Sequence, residues 1–152
     1  MNASAVELFA HAAERAKDVA VMMDAARALT LLGRTRLSAE PSADDAGQAL
    51  QVLGLYLTAE RLGQHVRQMS SEARSLLLTA RQLLEAEPQA RDGLPPDFAE
   101  VCRLMDEAMD RAVEAIERLE KLREAAAPAP TAPMPPEVRR EVDELLARLR
   151  RH

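Results

Sequence analysis

His11, His65, His152, Cys102 and the methionines Met22, Met23, Met69, Met105 and Met109 are the side chains of this sequence best suited to metal binding or nucleophilic work. A di-iron site in a helical bundle needs Glu-x-x-His on two helices. Leu8 and Leu62 stand three residues before His11 and His65, so that motif is absent. Glu7 and His11 are one helical turn apart and read as a surface pair. Cys102 falls at a position of apolar repeat, where cysteine serves as a small buried hydrophobe. Arg103 beside it would activate the thiol only in an open site. The methionines recur at helical spacing, which suits core filling; a soft-metal or promiscuous binding interior is the sharper alternative. Asp44, Asp45, Asp106, Glu107 and Asp110 read as helix-start acids and solvated faces. Neither a G-x-G-x-x-G nor a Walker-type loop is present. No pattern selects a catalytic group, and no cofactor is implied.

The elements that would carry these residues are helices. The chain has 152 residues, 2% aromatic and only 5 Gly, and alanine supplies much of its 47% hydrophobic content. Sheets want more β-branched and aromatic side chains than that, whereas Ala, Leu, Glu and Arg favour helix. A first helix is predicted from about residue 3 to 37, with Val6, Phe9, Ala13, Ala16, Ala20 and Met23 as its stripe. Val19, Met22, Ala26 and Leu29 widen it. Glu40–Pro41–Ser42 breaks the pattern, and Ser42 is a natural N-cap for a second helix over 42–87. There, Val52, Leu55, Ala59, Leu62, Val66, Met69, Ala73, Leu76, Ala80 and Leu83 alternate at three and four residues without interruption. That is a coiled-coil-type seam. It favours one continuous helix, the alternative being a break near Gln68–Ser71. Gly47, Gly54 and Gly63 lie inside this stretch, where each costs ~1 kcal/mol against Ala. Gly47 and Gly54, seven apart, would share a face and could admit a neighbouring helix.

Glu87–Pro88, the Asp92–Gly93 turn pair and Pro95–Pro96 separate the second helix from a third. Its seam is Phe98, Cys102, Met105, Met109, Ala112, Ile116 and Leu119. Val101, Leu104, Ala108, Ala115 and Leu122 beside it predict a wide buried face. Residues 127–136 then form an Ala/Pro-rich linker, extended and partly stiff. Residues 137–152 are patterned as a short amphipathic helix. Val138, Val142, Leu145, Leu146 and Leu149 lie on one face, acids crowd its first half, and Arg148, Arg150 and Arg151 crowd its end. About four turns of helix are marginal alone and need a surface.

The fold expected is therefore all-α. Residues 1–126 would make an antiparallel bundle of three long helices, four if the second breaks near residue 70. Packing would be coiled-coil-like and heptad-based, with a proline-tethered C-terminal helix. The net charge of −5 and pI near 5.3 argue against general nucleic-acid binding. No apolar run reaches the ~20 residues of a membrane span, and the first residues lack a secretory pattern. A lone cysteine fits a cytoplasmic setting. The function expected is a non-enzymatic interaction module, an adaptor, scaffold or small regulator. It would self-associate as a homodimer through Val52, Leu55, Leu62, Val66, Met69, Leu76 and Leu83. Its tail would recruit another protein through Val138, Val142, Leu145, Leu146, Leu149, Arg148, Arg150 and Arg151. The alternative is a helical ligand or metal sensor using the methionine-rich interior.

Overall fold

The computed structural model describes residues 3–37, 45–126 and, near the C-terminus, residues 136, 137, 140, 141, 144, 147 and 148. Three long helices account for most of them, and there is no strand among the described residues. Helix α1 spans Ala5–Leu37, α2 spans Asp45–Ala86 and α3 spans Phe98–Ala126. The Ser42 cap lies outside the described residues. Helix α2 is unbroken through Ser70 and Ser71, so the four-helix alternative does not arise.

Helix α1 starts on a capping-box sequence, Ser4 followed three residues later by Glu7. Ser4 Oγ accepts from the Glu7 amide at 3.2 Å, which satisfies one free N–H of the first turn. Between α2 and α3 a 3-10 turn covers Pro88–Arg91. Gly93 follows with φ of +90°, a conformation that disfavours any side chain. A Cβ there would also meet Val6 Cγ2 at 3.2 Å. Helix α3 begins at Phe98 rather than on the Pro95–Pro96 pair, which stands just outside it.

Contacts set the order of the helices along one another. Late residues of α1 meet early residues of α2: Arg36 Nη1 donates to Gln51 Oε1 at 2.7 Å, and the Tyr56 ring lies against Gly33. Further along, Arg15 pairs with Glu72 at 2.8 Å. Between α2 and α3 the pairs are Gly63 with Ile116, Arg67 with Glu120 and Arg81 with Asp106. Contact between α1 and α2 is the most extensive in the molecule.

Two apolar clusters form the core. One joins Val19 and Ala26 of α1, Val66 and Ala73 of α2, and Met109, Ala112, Ile116 and Leu119 of α3. The other lies toward the connector and joins Ala5, Ala12, Leu77, Ala80, Phe98 and Cys102. Phe9 and Phe98 meet there edge to face, with centroids 5.4 Å apart. Neither cluster includes a residue of α1 beyond Ala26 or of α2 before Leu62.

The buried faces differ in phase from the sequence reading. The α3 seam positions Phe98, Cys102, Met109, Ala112, Ile116 and Leu119 are buried, and Met105 is half-buried. Leu104 and Ala108 beside them are exposed, so the face is narrower than expected. On α1 the buried line is Ala5, Ala12, Val19, Ala26 and Gly33, spaced by seven, while Ala20 is exposed. Small side chains let two helices approach closely, so the axis of contact follows Ala and Gly. The larger Val6, Phe9 and Met23 flank it, half-buried. On α2 the track Val52, Ala59, Val66, Ala73 and Ala80 is buried as expected. The second track moves on by one residue: Gly63, Ser70 and Leu77 are buried, and Leu62, Met69 and Leu76 are half-buried.

Candidate interaction surface

Arg67, Arg74 and Arg81 are spaced by seven on α2 and therefore recur on one face. Each reaches across to α3. Arg67 makes a two-pronged pair with Glu120, its Nη2 lying 3.2 Å from Oε2. Arg74 pairs with Asp110 and donates to the Asp106 carbonyl at 3.2 Å. Arg81 reaches the Asp106 carboxylate at 3.0 Å. Hydrogen bonding from Arg67 holds the Glu120 carboxyl below its ordinary range, against a smaller opposing effect of burial. Asp106 and Asp110, read from sequence as solvated acids, are thus cross-helix partners. The signal was present in the seven-residue repeat of arginines on α2.

At the other end of the three-helix body the core closes on a polar contact. Thr30 and Arg123 are both buried, and Arg123 Nη1 donates to Thr30 Oγ1 at 2.9 Å. Thr30 in turn donates to the Ala26 carbonyl at 2.8 Å. Burial lowers the Arg123 pKa, partly offset by Glu120 and Glu60. Tyr56 lies close by; burial raises the pKa of its phenol, with Arg34 and Arg123 opposing.

Among the described residues, α3 ends three residues past Arg123, at Ala126, while α1 and α2 extend further. Residues 30–37 of α1 and 45–56 of α2 form a two-helix overhang. Gln48 Nε2 donates to the Arg36 carbonyl at 2.6 Å and so satisfies the end of α1. Between the overhang and the end of α3 opens a cleft of about 400 Å³, with Leu53, Tyr56, Leu57, Glu60, Arg123 and Glu124 among its walls. Leu53, Tyr56 and Leu57 are half-buried, and Leu31 and Leu32 on the same stretch of α1 are 47% and 41% exposed. A Cβ added at Gly54 would meet nothing within 4 Å. The cleft sits at the point where the chain leaves α3.

Family models, curated proteins and solved structures give no match to this chain.

The remaining sequence-selected residues fall as follows. His11, Glu7 and His65 are exposed, and His152 lies outside the described residues. Among the described residues no three His, Cys, Asp or Glu side chains are grouped to hold a metal. Cys102 is a free, fully buried thiol. Met22, Met23, Met69 and Met109 join the central cluster, while Met105 belongs to the other. Gly63 lies beneath Ile116, with room for a Cβ at only 3.0 Å. Gly33, which sequence reading did not single out, is tighter still: a Cβ would stand 2.4 Å from Tyr56 Cε1.

Of the residues expected to form a self-association seam, Val52 and Val66 are buried within this one chain. Leu62 and Met69 pack half-buried on the central cluster, and Leu76 and Leu83 on the other. Leu55 is half-buried in the overhang. Of the tail, Arg148 is helical and exposed, as are Glu137, Arg140, Glu141 and Glu144. Val138, Val142, Leu145, Leu146, Leu149, Arg150, Arg151 and the linker residues 127–135 lie outside the described residues. No helix of the described residues is long and apolar enough to cross a membrane.

Proposed function

We propose that this chain is a non-enzymatic protein–protein interaction module, an adaptor or scaffold of a cytoplasmic complex. Its body would be an antiparallel, coiled-coil-like bundle. The observation that supports this reading is a cleft that sets half-buried Leu53, Tyr56 and Leu57 beside charged Glu60, Arg123 and Glu124, near the end of α3 and the start of a tail patterned as an amphipathic helix. Recognition of a helix by a groove uses anchors at such three- and four-residue steps. Val52 and Val66 are buried within this one chain; self-association as a homodimer would use the half-buried seam residues Leu55, Leu62, Met69, Leu76 and Leu83. In the tail, Val138, Val142, Leu145, Leu146 and Leu149 would be the anchors. Arg148, Arg150 and Arg151 would steer them to an acidic surface.

Affinity capture from source-cell lysate tests the reading. The full chain should retain a defined partner, and Leu145→Glu/Leu149→Glu should lose it while melting as the parent does. Retention of the same partner by that variant would remove the tail from the proposal.

A further inference from the structure

Between α2 and α3 lies a second cleft, of about 400 Å³, with Arg67 and Arg74 on its wall. We infer that this cleft binds a small oxyanion of the phosphate type, free or as a monoester. The inference stands whether or not the chain recruits a protein partner.

The opening follows from the sequence of α2. Arg67 and Arg74 are seven residues apart, ~10 Å along the helix. Both reach across to acids of α3, and the other polar residues that α2 presents to the cleft are Ser70, Ser71 and Ser75. Side chains that small leave space between two helices. Leu78 of α2 and Val113 of α3 add an apolar part to the wall. A cleft of this size falls in the range of small-ligand sites.

Two buried polar atoms on this wall have no hydrogen-bond partner among the described residues, Ser70 Oγ and Arg74 Nε. Ser70 is only 3% exposed. A hydroxyl inside a helix can settle by donating to the carbonyl four residues back. Thr30, Thr35, Thr58 and Thr79 all do so, at 2.8–2.9 Å. Ser70 stands in the same relation to the Val66 carbonyl and makes no such bond. Arg74 uses one nitrogen, Nη2, for both of its α3 acceptors, the Asp106 carbonyl and the Asp110 carboxylate. Its Nε–H is left over. The fold therefore carries two desolvated groups that it does not satisfy, a cost that a ligand would offset.

The donor set selects the ligand. Guanidinium nitrogens only donate, and serine hydroxyls can donate. Among the described residues no carboxylate lines the cleft. Such a wall favours a negative group with acceptor oxygens pointing in several directions. A phosphate-type oxyanion has that shape, and arginine holds it through charge-assisted hydrogen bonds. A carboxylate presents its oxygens in one plane and reaches fewer of these donors. Leu78 and Val113 would take the organic part of an ester. The arginine–acid pairs across the helices are largely exposed and weak, so Arg67 and Arg74 can share their guanidinium groups with a ligand.

Nuclear magnetic resonance titration of the 15N-labelled full chain tests this, with sodium phosphate and phenyl phosphate each added at constant ionic strength. The Arg74 Nε–H signal and the Ser70, Ser71 and Ser75 amides should shift and saturate. Tighter binding of phenyl phosphate identifies an ester as the ligand, and equal affinity identifies free phosphate. Ser70→Ala should weaken binding at least ~5-fold. The same change should raise the melting temperature of the free chain, because it deletes an unsatisfied buried hydroxyl. Arg74→Gln should weaken binding at least ~10-fold. Arg81→Gln removes the same charge from the same face of α2 outside the cleft, and should change binding less than ~2-fold. Shifts that never saturate, or that sodium acetate reproduces, overturn the inference. So does equal loss in Arg74→Gln and Arg81→Gln, which would mean diffuse attraction to the arginine face. Unchanged affinity in Ser70→Ala, or a lower melting temperature of its free chain, also overturns it, because the hydroxyl then serves the fold rather than a ligand.

Discussion

Two glycines of the bundle sit in opposite surroundings, and the difference predicts opposite signs. Gly33 lies under the Tyr56 ring with no room for a methyl group. Gly33→Ala should destabilise by about 1–3 kcal/mol, the usual range for overpacking, and Tyr56→Leu in the same chain should recover much of it. Gly54 faces open space, so Gly54→Ala should stabilise by up to ~1 kcal/mol through helix propensity. Urea unfolding of the four chains gives both signs. Thr30 and Arg123 pose the question of a buried charge. Thr30→Val removes the acceptor and leaves the guanidinium short of a partner, at about 1–3 kcal/mol. Thr30→Val with Arg123→Met should cost less than the single change, since an unpaired buried charge costs more than an apolar pair. A double-mutant cycle that closes with no coupling would mean that water serves Arg123 as well as Thr30 does.

The elements carry their electrostatics on the α2–α3 face. The Arg67, Arg74 and Arg81 side chains are each more than a third exposed, so each pair is worth about 0.2–1 kcal/mol at most. Their role is direction and register: the acids that meet them are set by where α3 lies along α2. Glu120 should add a measurable pH dependence. Its folded pKa is lowered by Arg67, so its contribution is complete above the ordinary carboxylate range and drains as pH falls through the lowered value. Glu120→Gln should therefore lose stability at about pH 7, and the gap to the parent should close toward about pH 2. An equal gap at both values would show that the pair contributes nothing through charge.

At the scale of the whole molecule, the apolar core is concentrated toward the connector end. Both apolar clusters lie on the connector side of the Thr30–Arg123 contact. Leu77, 1% exposed, anchors the far cluster, and Leu77→Ala should cost about 2–5 kcal/mol. Leu53→Ala in the overhang should cost much less, because Leu53 is only half-buried and belongs to neither cluster. Thermal melts of the two variants followed by circular dichroism compare them directly. A bundle arranged this way should tolerate change in the overhang while its core holds.

The sequence by itself determined the helices and their breaks. Pro88, Pro95, Pro96 and the Asp92–Gly93 turn end and start elements through local sterics, and uninterrupted three-and-four spacing kept α2 whole through Ser70. It also placed Phe98, Cys102, Met109, Ile116 and Leu119 in the core, because on α3 the large apolar side chains mark the buried face. Tertiary structure decided the buried phase of α1 and of half of α2. There the contact line follows Ala5, Ala12, Ala26, Gly33 and Gly63, and side-chain hydrophobicity is a poor guide where close approach selects the smallest residue. It also decided which acids meet Arg67, Arg74 and Arg81, and which end of α2 is left over. Those outcomes depend on how three helices slide along one another. Residue spacing within a helix is unchanged by such sliding, so no pattern along a single helix records it.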